Sequence, residues 1–120
     1  MTLISGRKEI APLLAACAVL GASPSDALKR GSGAQKPNAL DAKTAAIYAL
    51  RFAAGIPIRQ VARLFGLRSH SQAVWHYQRA LSRRSEDATF ADALVAAVYA
   101  ARRLGRYRPR KRGPKPKSGI

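Results

Sequence analysis

Between positions 66 and 72 the chain reads Gly-Leu-Arg-Ser-His-Ser-Gln. Five adjacent residues bring a guanidinium (Arg68), two hydroxyls (Ser69, Ser71), an imidazole (His70) and a carboxamide (Gln72) into one short stretch. Such a set donates and accepts hydrogen bonds, the chemistry that holds phosphates and reads base edges. It lacks what catalysis needs. The second histidine, His76, stands six positions from His70, on a different helix face, and the few acids show no paired arrangement on an apolar face. No Cys/His cluster has metal-ligand spacing, and the lone Cys17 cannot close an internal disulfide. The expectation is a binding protein, not an enzyme, with neither cofactor nor metal.

Charge narrows the partner. Among 120 residues, 22 Lys and Arg stand against 6 Asp and Glu, a formal net charge of +16. Between Asp41 and Glu86 there is no acid, yet Lys43, Arg51, Arg59, Arg63, Arg68, Arg79, Arg83 and Arg84 all fall there. A surface that must approach phosphates gains from the absence of carboxylates, so the expected counterpart is a polyanion: nucleic acid ahead of an anionic membrane. No apolar run approaches the roughly 18 residues that span a bilayer. Arg7-Lys8 followed by Leu14-Ala15-Ala16-Cys17 has the outline of a lipoprotein processing site, but Glu9 and Pro12 interrupt the apolar segment such a signal requires. A short Ala/Leu helix ending at Gly21, with Cys17 as a small buried hydrophobe, is the expectation. Export as a cationic lipoprotein is the alternative from another class, and a cytoplasmic, nucleoid-associated location is the main reading.

The elements that position this chemistry are helical. Hydrophobic residues make up 48% of the chain while aromatics are only 7%, so the core must be built from Ala, Leu and Val. That composition predicts an all-α fold. Punctuation gives three parts: an N-terminal helical extension and linker over 1–37, a helical domain over 38–104, and a disordered basic tail over 105–120. In the first, Ser23-Pro24-Ser25-Asp26 is a helix start. In the second, helices are expected over 39–54 (capped by Asn38 with Asp41), 58–65, from Ser69 to about Arg84, and 90–104 (capped by Thr89 with Asp92). Gly66 supplies a left-handed stop for the short helix, and Ser69 with Gln72 forms a capping box for the next. On that third helix Ala73, Val74, Tyr77, Ala80 and Leu81 form the expected core stripe, with Gln72, Trp75, His76, Arg79 and Arg83 outward. The tail, with Arg106, Arg108, Arg110, Lys111, Arg112, Lys115 and Lys117, reads as an arm for phosphates.

The short helix, its turn and the longer helix after it form a helix-turn-helix pattern. Residues 38–100 also resemble the C-terminal DNA-binding domain of the bacterial replication initiator DnaA. Ala45-Ala46-Ile47-Tyr48-Ala49-Leu50-Arg51 resembles that family's I-A-M-Y-L-A-R helix, and positions 56–65 resemble its L-S-L-P-E-I-G-x-x-F segment. Gly66, Arg68, His70 and Ser71 match the signature G-G-R-D-H-[ST], with Ser69 in place of its acid. Slipped by one residue, the following segment pairs His76 with the family's second histidine. No G-x-x-x-x-G-K-[ST] phosphate loop is present, so the resemblance does not extend to an ATPase.

The resemblance implies a helix-turn-helix that binds duplex DNA, with His70 and Ser71 at the groove. Gln72 is placed to pair with adenine, Trp75 either to meet a thymine methyl or to cover a neighbouring segment, and Ser69 is a cap or base contact. Lys43, Arg51, Arg59 and Arg68 are expected on phosphates, and His76, Arg79, Arg110, Lys111 and Arg112 complete the expected DNA surface. The reading is a monomeric, sequence-specific DNA-binding protein, a transcriptional regulator or replication-linked factor that meets other proteins of those processes. A protein that coats nucleic acid without sequence preference is the alternative.

Overall fold

Proline and glycine set the helix boundaries. The computed structural model describes residues 7–28 and 36–108. After a 3-10 turn at Lys8–Ile10, six helices follow: α1 (Ala11–Leu20), α2 (Pro24–Ala27), α3 (Pro37–Phe52), α4 (Ile58–Leu64), α5 (His70–Glu86) and α6 (Ala88–Arg103). Pro12, Pro24 and Pro37 occupy the first turns of α1, α2 and α3, where their missing N–H is not needed. Gly21, Gly55, Gly66 and Gly105 close helical stretches at positive φ. Among the described residues there is no strand, as the alanine-rich composition predicts.

α3 is the axis of the molecule. From Asp41 to Leu50 every residue is buried, because α1, α5 and α6 pack around it and α2 and α4 lie against its ends. A helix covered on all sides needs small or apolar residues all round, and Ala42, Ala45, Ala46 and Ala49 let its neighbours approach closely. Ile47, Leu50, Leu13, Val61 and Phe90 fill the remaining volume and are fully buried.

The structure revises several expectations. α1, assigned by sequence to an extension outside the domain, packs against α6 and α3 and buries Leu13, Ala16 and Cys17. It belongs to the same core. The cause is packing between distant segments: Leu13, Ala16 and Cys17 cover faces of α3 and α6 that would otherwise meet solvent. α3 starts at Pro37 without a side-chain cap, so Asn38 and Asp41 are not its cap. Instead the Asn38 amide donates to the Leu20 carbonyl at 3.0 Å, tying α3 to the end of α1. α6 is capped not by Thr89 but by Asp87, whose carboxylate accepts from the backbone N–H groups of Thr89 and Phe90. On α5 the buried residues are Ala73, His76 and Ala80, while Leu81 is exposed. The stripe is rotated from the expected one toward His76.

The first residues of the expected tail are docked. Tyr107 donates its backbone N–H to the Ala54 carbonyl at 2.7 Å and its hydroxyl to Gln60 Oε1 at 3.0 Å. Residues 109–120 lie outside the described residues, with Arg110, Lys111 and Arg112 among them, as does the 29–35 portion of the expected linker.

Candidate nucleic-acid interface

α4 ends at Leu64, and Phe65 to Ser69 carry the chain to α5. Gly66 at φ 65° makes the reversal possible: its N–H donates to Arg63 O, and Leu67 N–H donates to Ala62 O at 2.9 Å. Leu67 packs against the core, so the turn is anchored and α4 lies against α5. Arg68, Ser69, His70, Ser71 and Gln72 are all exposed at the start of α5. The stretch singled out by its chemistry is therefore presented as one continuous polar tip.

Neither hydrogen bond of the expected capping box forms, since Gln72 reaches past Ser69 to the residue before it. Ser69 occupies the N-cap position with extended backbone, but its hydroxyl caps no backbone N–H. Gln72 reaches back, and its Oε1 accepts the Arg68 backbone N–H at 2.9 Å. A carboxamide read by adenine must use both its oxygen and its NH₂. Gln72 already commits one lone pair of its Oε1 to Arg68, which leaves the second lone pair and the NH₂ group for such a contact. His70 and Ser71 carry no such obligation among the side-chain hydrogen bonds of the turn.

Trp75 is 53% exposed one turn further along α5. Its ring meets the His76 ring edge-on at 4.9 Å, and the Arg79 guanidinium lies 5.8 Å from its centroid. Arg79 is itself held from behind: it donates to Thr44 Oγ1 at 2.9 Å and pairs with Asp41 at 2.8 Å. The exposed indole thus rests on side chains fixed by α3.

Two residues expected at this surface lie beneath it. His76 is 6% exposed, its Nδ1 lies 2.9 Å from Thr44 Oγ1, and burial beside Lys43 and Arg79 lowers its pKa to about 4. It is a neutral structural side chain at pH 7. Lys43 is 7% exposed, and burial lowers its pKa. Arg79 and Arg83 are half-buried and share the Asp41 carboxylate, with Arg83 also 3.0 Å from Asp87. Of the eight cations in the acid-free segment, the exposed ones are Arg51, Arg59, Arg63, Arg68 and Arg84. The first four lie on the end of α3, on α4 and in the turn before α5.

The Asp41–Arg79–Arg83–Asp87 network was not anticipated from sequence. One signal was available: Asp41 is the last acid before the gap, and Arg79 and Arg83 are spaced one turn apart so that one carboxylate can face both. The network joins α3, α5 and the N-terminus of α6, and so fixes the axial position of α5. No helix among the described residues is long and apolar enough to cross a membrane, and none of their His, Cys, Asp and Glu side chains group as metal ligands. Comparison with protein-family models, with curated proteins and with solved structures returns no match.

Proposed function

We propose that this chain binds duplex DNA through a helix-turn-helix formed by α4 and α5, with the N-terminal tip of α5 in the major groove. The observation that carries the reading is the exposed, acid-free tip Arg68 to Gln72, set by the Gly66 turn and flanked by the exposed Arg51, Arg59 and Arg63. Phosphate contacts from these arginines would fix register, while His70, Ser71 and Trp75 would meet base edges and methyl groups. Backbone N–H groups at the start of a 17-residue helix add a favourable field for a phosphate. The resemblance of residues 38–100 to the DnaA DNA-binding domain points the same way and gives the role: transcriptional regulation or a step linked to replication.

A coating protein without sequence preference is the second reading, favoured by the seven cations of residues 105–120. Selection from a random duplex pool separates the two. Sequence-specific binding is expected to enrich a motif, and His70→Ala or Trp75→Ala should cost about 1–3 kcal/mol on it with little effect on random DNA. Arg59→Ala should weaken all duplexes alike. A pool that enriches nothing, with every variant weakened equally on every duplex, establishes coating instead.

A further inference from the structure

Arg106 and Arg108 follow the last helix, and Lys8 precedes the first, yet the fold brings all three to one place. They line a cleft of about 410 Å³ whose floor is Ala54, Ile56 and Leu104, with Glu9 as its one carboxylate. The cleft is built by a clamp. Tyr107 is bound through its backbone to Ala54 O at 2.7 Å and through its hydroxyl to Gln60 on α4 at 3.0 Å, and it packs against the core. The loop it grips is itself fixed, since Ile56 N–H donates to Leu50 O at 3.1 Å. Gly55, at φ 73°, leaves room for the guanidinium of Arg106: a Cβ there would meet Nη2 at 3.3 Å. Thus the guanidinium lies against the loop at Gly55. Lys8, Arg106 and Arg108 are all exposed. Three cations against one carboxylate, on a polar cleft held by a buttressed tyrosine, form a surface complementary to a run of phosphates.

We propose that this cleft is a second phosphate-backbone contact for the DNA duplex held by α4 and α5, and that Tyr107 is its positioning residue. The proposal rests on the duplex-binding reading above. Its link to that site is Gln60, which receives the Tyr107 hydroxyl and is the neighbour of the exposed Arg59. The clamp makes Arg106 and Arg108 a fixed extension of the α4 side of the interface. Phosphodiesters are the ligand class because the cleft sets three exposed cations against a single carboxylate.

The test is the salt dependence of duplex binding by the full chain. Replacing Lys8, Arg106 and Arg108 together by Gln is expected to reduce the log–log salt slope by up to about 2.7, at roughly 0.9 per phosphate contact. Selectivity between a selected and a random duplex should stay as it was. Tyr107→Ala alters no charge, so a purely electrostatic tail predicts an unchanged hydroxyl-radical footprint; the clamp predicts loss of protection at one edge of it. An unchanged slope in the triple variant, with binding still sensitive to Arg59→Ala, overturns the second contact while leaving the first reading intact. An unchanged footprint for Tyr107→Ala overturns the clamp. Failure of the unmodified chain to bind any duplex overturns both.

Discussion

Asp41 and His76 show how far a residue's role depends on what faces it. Asp41 is 5% exposed and meets two guanidinium groups at 2.8 Å each. Its charge is tolerated in the interior because both arginines are charged partners with fixed geometry. Asp41→Asn should therefore destabilise by about 2–3 kcal/mol in urea unfolding, since two arginines then crowd without a counter-charge. His76 gives a pH dependence with a defined sign. Its pKa falls from 6.5 to about 4 on folding, so the unfolded chain binds the extra proton as pH drops. Its contribution to stability is complete above pH 6.5 and is lost progressively between about 6.5 and 4. Between pH 8 and pH 5 this amounts to about 2 kcal/mol, and His76→Gln should remove that part of the pH profile in parallel denaturation series. An identical profile in the variant would show that other groups carry the dependence.

At the scale of elements, the turn between α4 and α5 decides how the polar tip is aimed. Gly66 sits at φ 65°, a conformation that costs other residues roughly 1–2 kcal/mol. Gly66→Ala is expected to lower unfolding stability by about that much and to weaken duplex binding further, because the start of α5 shifts. A variant that loses stability but binds duplexes unchanged would place the nucleic-acid contact elsewhere. The helix ends teach a related lesson. Gly66 as a stop and Ser69 at the N-cap position were legible, because both depend on neighbours in sequence. The Asp87 cap was missed because an acid two residues ahead of a threonine competes with that threonine for the same role, and only the accepted N–H groups of Thr89 and Phe90 decide it.

For the whole molecule, the unit that folds includes α1. Leu13, Ala16 and Cys17 are buried against α6 and α3, and removing α1 would bare that surface. Residues 38–104 alone should consequently fail to show a cooperative helical melt, while a chain spanning 7–108 should retain it, as followed by far-UV circular dichroism. Leu13→Ala in the full chain should cost about 2–5 kcal/mol, since the side chain has no solvent-exposed surface. Equal melting of the two fragments would return α1 to the status of an appendage.

Helical class, the positions of the long helices and the exposed tip at residues 68–72 follow from the sequence itself. They rest on local physics: apolar spacing, proline and glycine geometry, and the absence of acids from one stretch. What the tertiary structure alone decided is which of the polar and basic residues face outward. A helix of 17 residues such as α5 offers several faces, and a rotation of one residue exchanges His76 for Leu81 at the core. Asp41 resolves that choice by drawing Arg79 and Arg83 toward α3, and the packing of α1 and Tyr107 is likewise set by contacts between residues far apart in sequence. Local pattern cannot record such partners, because the free energy that selects them arises only when the helices meet.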